Sequence, residues 1–461
     1  MENNTQLKEM IRSMVIDILQ GQKQEMASSQ PIKQAPRGQV EPGVFDTVDE
    51  AIQAAKAAQA RFEDCTLATR EKVIADIRAA MRPRVQELAQ KTVDETGMGR
   101  VADKVLKLNL TLNKTPGVED LVTECETGDN GMTLYELSAY GVIGAITPST
   151  NPAETLICNS IGMLAAGNAI FFSVHPGAKN LSRELVSELN QVIAKSIGIE
   201  NLIVTLREPS IESAQEMMLH PDVSLLVVTG GPGVVKQALQ SGKKVIGAGA
   251  GNPPAFVDET ADIKKAAQDI VLGASLDNNI LCIAEKSVVA MRQIEPQLVQ
   301  EMVKAGCILL ENQQDIQRLV DLTVLPNGTP NKKFVGKNAS VILDAAHIPY
   351  NGDPRLIIMR APKNHPFAVI EMLMPILPVV TVDSFDEGLD VCLMLEAGLH
   401  HTATMHSLNM ERLNRMARKM KTSIFVKNGP SYAGLGFSGE GTTTFTIATP
   451  TGESTTSARC F

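Results

Sequence analysis

Between residues 141 and 240 the chain alternates short β-branched runs with longer amphipathic ones, and this alternation constrains the fold more than any other feature. Residues 141–147, 169–174, 202–206 and 223–229 read as strands. Residues 152–166, 180–197, 211–219 and 234–240 read as the helices between them. A strand followed by a helical crossover returns parallel to its neighbour, almost always with a right-handed connection. The pattern therefore predicts a doubly wound, mainly parallel sheet. A second alternating set follows, with strands at 255–257, 287–291 and 378–382 and helices at 263–274, 295–304, 385–395 and 410–420. The fold class is α/β, with two doubly wound domains at 44–228 and 229–426. Ligands of such sheets sit at the carboxyl ends of the strands.

The remaining segments are read from their punctuation. Thr47 and Glu50 have capping-box spacing ahead of an alanine-rich helix that runs to about Phe62. A helical region at 69–96 is interrupted at Pro83 and stopped by Gly97 and Gly99, and Pro116–Gly117 closes a third helix. Residues 132–147 alternate in the β manner, which suggests a small β arm at about 126–140. The tail at 427–461 is rich in Gly, Ser and Thr, and suits loops with an edge or intersubunit strand. At the other end, Leu7, Ile11, Met14 and Ile18 share one stripe of an amphipathic helix at 1–20, joined to the body by a polar linker at 21–43. Such a helix either docks on its own chain or serves as a partner-binding tag.

Composition removes several classes of function. A net charge of −9 argues against nucleic acid, since phosphate binding needs a basic face. Seven cysteines without paired or CxxC spacing indicate a reducing compartment, and neither a disulfide framework nor a zinc site. No apolar run approaches the ~20 residues that span a bilayer, and the first 30 residues lack a secretory pattern. A cytoplasmic chain is expected.

The residues with chemical potential cluster at turns. Cys282 lies between an apolar helical run, closed by Asp277-Asn278-Asn279, and a β-branched strand. A thiol there is held rigidly, but with a free pKa near ~8.5 it needs help to attack carbon as the thiolate. A buried structural cysteine fits that position equally well. Asn151, in Thr147-Pro148-Ser149-Thr150-Asn151-Pro152, ends a strand with an amide able to donate to an oxyanion, although Asn-Pro is also common turn chemistry. Thr229-Gly230-Gly231-Pro232-Gly233-Val234 joins a strand to a helix N-terminus, a place suited to a pyrophosphate. It lacks the third glycine of GxGxxG, so alone it is a weak signal. The glycine run at 247–254, which includes Gly249, permits close backbone approach. Glu371 is a carboxylate inside an apolar, proline-closed run.

Taken in order, these motifs resemble the aldehyde dehydrogenase superfamily over about residues 44–461. Within it the chain is similar to the CoA-acylating propionaldehyde and acetaldehyde dehydrogenases of bacterial microcompartments. The match rests on the phrases Thr-Pro-Ser-Thr-Asn-Pro, Gly-Ala-Gly-Asn-Pro-Pro, Asp-Asn-Asn-Ile, Pro-Phe-Ala-Val, Met-Pro-Ile-Leu-Pro-Val, Phe-Val-Lys-Asn-Gly-Pro and Thr-Pro-Thr-Gly-Glu. The resemblance implies Cys282 as nucleophile and Asn151 as oxyanion donor, with a thioester passed to coenzyme A in a ping-pong order. It implies NAD held by Thr147, Pro148, Ser149, His175, Thr229, Gly230, Gly231, Val234, Gly249 and Glu371. His175 stands where many relatives have a lysine near the cofactor ribose, and a structural role is the alternative. Ala248 stands where hydrolytic members carry the glutamate that activates water, which supports CoA as acceptor. The resemblance further implies that 44–228 is the nucleotide domain, 229–426 the catalytic domain and 427–461 a return segment with an oligomerisation strand. It also implies a homodimer or homotetramer, and a tag at 1–20 for a microcompartment shell protein or other cargo, with the enzyme in the lumen. A hydrolytic dehydrogenase and an inactive scaffold are the alternatives.

Overall fold

The computed structural model describes residues 41–461, so the helix expected at 1–20 and most of its linker lie outside the described residues. The body, Pro42–Phe461, is built on two parallel sheets. The first has six strands in the spatial order Val44–Phe45, Ile203–Leu206, Ala169–Ser173, Val142–Ile146, Val223–Thr229 and Lys244–Ala248. Every pairing in it is parallel. From Val142–Ile146 the chain adds strands to one side, then returns to add Val223–Thr229 and Lys244–Ala248 on the other. That reversal makes the carboxyl ends of Val142–Ile146 and Val223–Thr229 a topological switch point, the usual ligand position in such sheets.

The helices follow the punctuation. Thr47 caps Val48–Glu63 by accepting from the Glu50 N–H, and its hydroxyl donates to the Glu50 carboxylate at 2.9 Å. A 3₁₀ turn at Arg82–Arg84, centred on Pro83, separates Leu67–Met81 from Val85–Thr96. Gly97 ends the latter in a left-handed conformation. Helix Pro152–Ala165 is buried along its whole length, which explains its lack of a polar face. Phe62, Phe171 and Phe172 are fully buried in this core, each contributing about 1.5–3 kcal/mol of hydrophobic stabilisation.

The second sheet has seven parallel strands in the order Cys307–Leu310, Leu356–Arg360, Ile376–Val382, Ser287–Met291, Pro254–Val257, Thr402–His406 and Ile424–Lys427. Four of these were not expected from the sequence. They are four- or five-residue runs, too short for alternation to mark them out even though glycine, proline or asparagine flanks Cys307–Leu310, Leu356–Arg360 and Ile424–Lys427. Lys244–Ala248 was also missed, because its glycine disguises a strand buried between layers. It belongs to the first sheet, so that sheet extends past the boundary expected at 228. The hairpin Glu124–Gly128/Gly131–Tyr135 forms the expected arm, with Met132, Leu134 and Tyr135 exposed. The tail contributes only a two-residue antiparallel pair, Ile447–Ala448 with Ser454–Thr455, and returns to the first core, where Phe461 is buried. Among the described residues no helix is long and apolar enough to cross a membrane.

Candidate active site

The turn that carries Cys282 is built from an unusual backbone. Helix Ile263–Ser275 gives way to Asp277, Asn278 and Asn279, all with left-handed φ of 51°, 56° and 64°. Short polar side chains tolerate this region best because they bond to nearby backbone. Here each does so. Asp277 Oδ1 accepts from the Arg100 N–H at 2.8 Å, and Asn278 Nδ2 donates to the Gly336 carbonyl at 2.8 Å. Asn279 Nδ2 donates to the carbonyls of Ala274 and Glu285 at 2.7 and 2.9 Å. The buried Lys286 ammonium completes the turn by donating to Asn279 O, Asn279 Oδ1 and Leu281 O at 2.8, 2.6 and 2.9 Å. Cys282 sits half-buried on this frame.

Its surroundings oppose ionisation in the resting state. Burial, and then the Glu371 carboxylate, push the Cys282 thiol up to about 12, against the pull of Lys286 and the backbone N–H groups of Cys282 and Ile283. Burial lowers Lys286 to about 8, although Glu371 and Cys282 favour its charge. Glu371 is itself raised by burial, partly offset by Lys286 and by the Gly251 N–H, which donates to Oε1 at 3.2 Å. Gly251 also lies against the cysteine turn: a Cβ there would stand 2.7 Å from the Cys282 carbonyl oxygen and 2.8 Å from His401 Cγ. The structure thus brings together Cys282, Glu371 and the glycine run at 247–254. All three precede the strands they lead into, Ser287–Met291, Ile376–Val382 and Pro254–Val257. This corrects the expectation of carboxyl ends for the second sheet. The Cys282 turn is bonded to the first sheet's helical layer, so the site lies at the amino ends of the second sheet.

Asn151 does follow the carboxyl end of a strand, but its amide is not free. Its Oδ1 accepts from Lys107 Nζ, and its Nδ2 donates to Thr150 Oγ1 at 3.2 Å. The same Lys107 ammonium meets Glu154 Oε1 at 3.0 Å and also Asp277 Oδ2. Lys104, one turn earlier on helix Val101–Lys114, meets Asp277 Oδ2 at 2.9 Å and donates to the Thr150 carbonyl at 2.6 Å. All four charged side chains are fully buried. They link the Asn151 turn to the Cys282 turn.

The nucleotide-binding candidates form a neighbouring group. Thr147, Pro148 and Ser149 leave the end of Val142–Ile146, and Thr229, Gly230 and Gly231 leave the adjacent Val223–Thr229. Thr147 Oγ1 is buried and has no hydrogen-bond partner among the described residues. A Cβ on Gly230 would meet Val234 Cγ1 at 2.7 Å, and one on Gly249 would meet Pro450 Cγ at 2.8 Å, while Gly231 and Gly233 face open space. The tail closes this region: Thr446 Oγ1 pairs with Thr229 Oγ1 at 2.8 Å, and Thr451 Oγ1 accepts from the Gly247 N–H at 2.9 Å. Ala248 ends its strand beside Thr229. His175 is exposed beyond Ala169–Ser173, and its Nδ1 accepts from the Gly177 N–H at 3.0 Å, so that nitrogen already has a structural bond.

Sequence reasoning missed Lys104, Lys107, Glu154, Lys286 and His401. Lysines at i and i+3 of a polar helix read as a solvated face, and only tertiary contacts bury them. His401, buried beside Gly251, is held neutral by burial and Lys286, at about 4.

A model of the aldehyde dehydrogenase family matches residues 18–446. The chain belongs to the aldehyde dehydrogenase family. It is 51% identical to the CoA-propanoylating propanal dehydrogenase of Salmonella typhimurium, over 100% of this chain and 97% of the relative. Its structure is similar to that of Rhodopseudomonas palustris propionaldehyde dehydrogenase with bound CoA and an acylated cysteine. That match has a TM-score of 0.90 and 48% identity, over 91% of this chain and 96% of that one. It is also similar to a propionaldehyde dehydrogenase from the Clostridium phytofermentans fucose utilisation bacterial microcompartment. There the TM-score is 0.89 and the identity 47%, over 91% of this chain and 97% of that one. The two-sheet α/β architecture is thus that of the family's propionaldehyde dehydrogenases.

Proposed function

We propose that this member of the family oxidises a short-chain aldehyde, propionaldehyde foremost, to the acyl-CoA through a thioester on Cys282. The observation that carries the reading is the half-buried Cys282, locked on its left-handed turn against Gly251 and Glu371, in a site whose counterpart carries an acyl group in the Rhodopseudomonas palustris protein.

Cys282 loses its proton to solvent and adds as the thiolate, through Sγ, to the aldehyde carbonyl carbon, and the oxygen takes up the negative charge. Asn151 Nδ2 and the Cys282 N–H are the donors for that oxyanion. Loss of hydride from the same carbon leaves an acyl thioester on Cys282. The CoA thiol then attacks the thioester carbonyl and its proton passes to the departing Cys282 sulfur, giving acyl-CoA and the free Cys282 thiol. NAD supplies the hydride acceptor when bound. The residues fit a dinucleotide: the unpaired Thr147 Oγ1 and the open faces of Gly231 and Gly233 flank the N-terminus of helix Pro232–Leu239. Pro148, Ser149, Thr229, Gly230, Val234, Gly249 and His175 line the same end of the first sheet, and Glu371 is the group for the nicotinamide ribose. Ala248 offers no carboxylate to activate water, so the thioester waits for CoA.

We infer further that residues 1–20 direct the enzyme into a microcompartment, supported by the origin of the Clostridium phytofermentans relative. Assembly as a dimer or tetramer through the apolar arm at Met132 and Leu134 accompanies that reading. The enzymatic proposal is tested by NADH formation from propionaldehyde and NAD, with and without CoA, and by mass spectrometry of the products. Sustained turnover with CoA, yielding propionyl-CoA, is expected, with at most one turnover without it. Steady CoA-independent release of propionate would overturn the reading.

A further inference from the structure

We propose that Lys107 is a positioning residue for the acyl-transfer reaction, orienting the Asn151 amide and registering it against the Cys282 turn. The inference rests on the reading of Asn151 as the oxyanion donor. An ammonium only donates, so the atom of Asn151 that faces Lys107 must be the carbonyl oxygen. The amide nitrogen then points to the other side. Without that constraint the amide has two nearly isosteric orientations, and in the wrong one an oxygen faces the developing oxyanion. Little else chooses between them: the Asn151 side chain does not cap its own helix, and its other bond is to the neighbouring Thr150 hydroxyl.

The geometry gives Lys107 a second task. Its ammonium donates to Asn151 Oδ1 and forms ion pairs with Asp277 Oδ2 and Glu154 Oε1. Asp277 is the first left-handed residue of the turn leading to Cys282, and its N–H donates to Asp103 Oδ2 at 2.9 Å. One buried cation therefore touches both the turn that bears the amide and the turn that bears the thiol. Lys104 doubles the link through Thr150 O and Asp277. Buried ion pairs are weak contributors to stability and are often replaced by apolar residues without loss. A full set of four charges, bonded to two catalytic turns, is better explained by the geometry it enforces. Burial opposes the charge on Lys107, but Asp277 and Glu154 outweigh it and keep the ammonium protonated.

The test is a double-mutant cycle on the full-length enzyme, read as kcat and KM with propionaldehyde, NAD and CoA. Lys107→Met keeps the stem and removes the donors; Lys107→Met/Glu154→Gln keeps the buried charge balanced should the single variant fold poorly. In the presence of Asn151, Lys107→Met is expected to lower kcat about tenfold or more, with KM for NAD and CoA changed less than about twofold. In an Asn151→Ala background the same change is expected to cost less than about twofold, because the two residues act as one unit. Equal losses in both backgrounds would overturn the positioning role while leaving Asn151 as donor. An Asn151→Ala enzyme at full rate would overturn the assignment of Asn151 and the role of Lys107 together.

Discussion

The Gly251 N–H donates to Glu371 Oε1 at 3.2 Å, which fixes the carboxylate beside the Cys282 turn that Gly251 itself touches. This arrangement makes the reactivity of the thiol depend on two groups of opposite sign. Glu371→Gln removes the negative charge that disfavours the thiolate, so the midpoint of Cys282 alkylation by iodoacetamide is expected to fall from about 12. Lys286→Met removes the cation that favours the thiolate, and the midpoint is expected to rise. Alkylation rates from pH 7 to 10, followed by intact mass, decide both directions.

Cys282→Ser is expected to abolish NADH formation while leaving the melting temperature within a few degrees of the parent. The alcohol is a far weaker nucleophile at neutral pH, and the half-buried position accepts its smaller atom. Retention of turnover would remove Cys282 from the chemistry.

Asn151→Ala is expected to lower kcat by about 10²–10³, the usual cost of one oxyanion donor, with a small effect on KM. Steady-state kinetics with propionaldehyde measures it.

Gly251→Ala places a methyl 2.7 Å from the Cys282 carbonyl oxygen, so backbone must shift. A loss of about 1–3 kcal/mol in stability is expected, together with reduced activity. Gly233→Ala, facing open space near the start of helix Pro232–Leu239, is expected to be neutral or slightly stabilising. Chemical denaturation of the two variants gives the comparison.

Glu285 is fully buried, its carboxylate accepting from the Ser431 N–H and hydroxyl, both at 2.8 Å. Burial raises it from 4.5 to about 7 despite those bonds. Between these values the folded protein binds more protons than the unfolded chain, so the contribution is complete below 4.5 and is lost as pH rises through 7. A shift of this size corresponds to on the order of 3 kcal/mol. Glu285→Gln is expected to flatten the fall in melting temperature between pH 5 and 8, which a thermal-shift series would show.

The alternating βα pattern, the cap at Thr47 and the stops at Pro83 and Gly97 are local and can be read from the sequence. The family's phrases likewise marked Cys282, Asn151, Glu371 and the glycine turns in one dimension. The sequence did not determine which turns face one another. Short strands such as Thr402–His406 became visible only once neighbours supplied their hydrogen bonds. Lys107 has the composition of a surface residue, yet it is buried because Asp277, far along the chain, returns beside Glu154 and Asn151. Local propensity fixes elements within a few turns, whereas burial of a charge depends on partners that only the folded chain brings within reach.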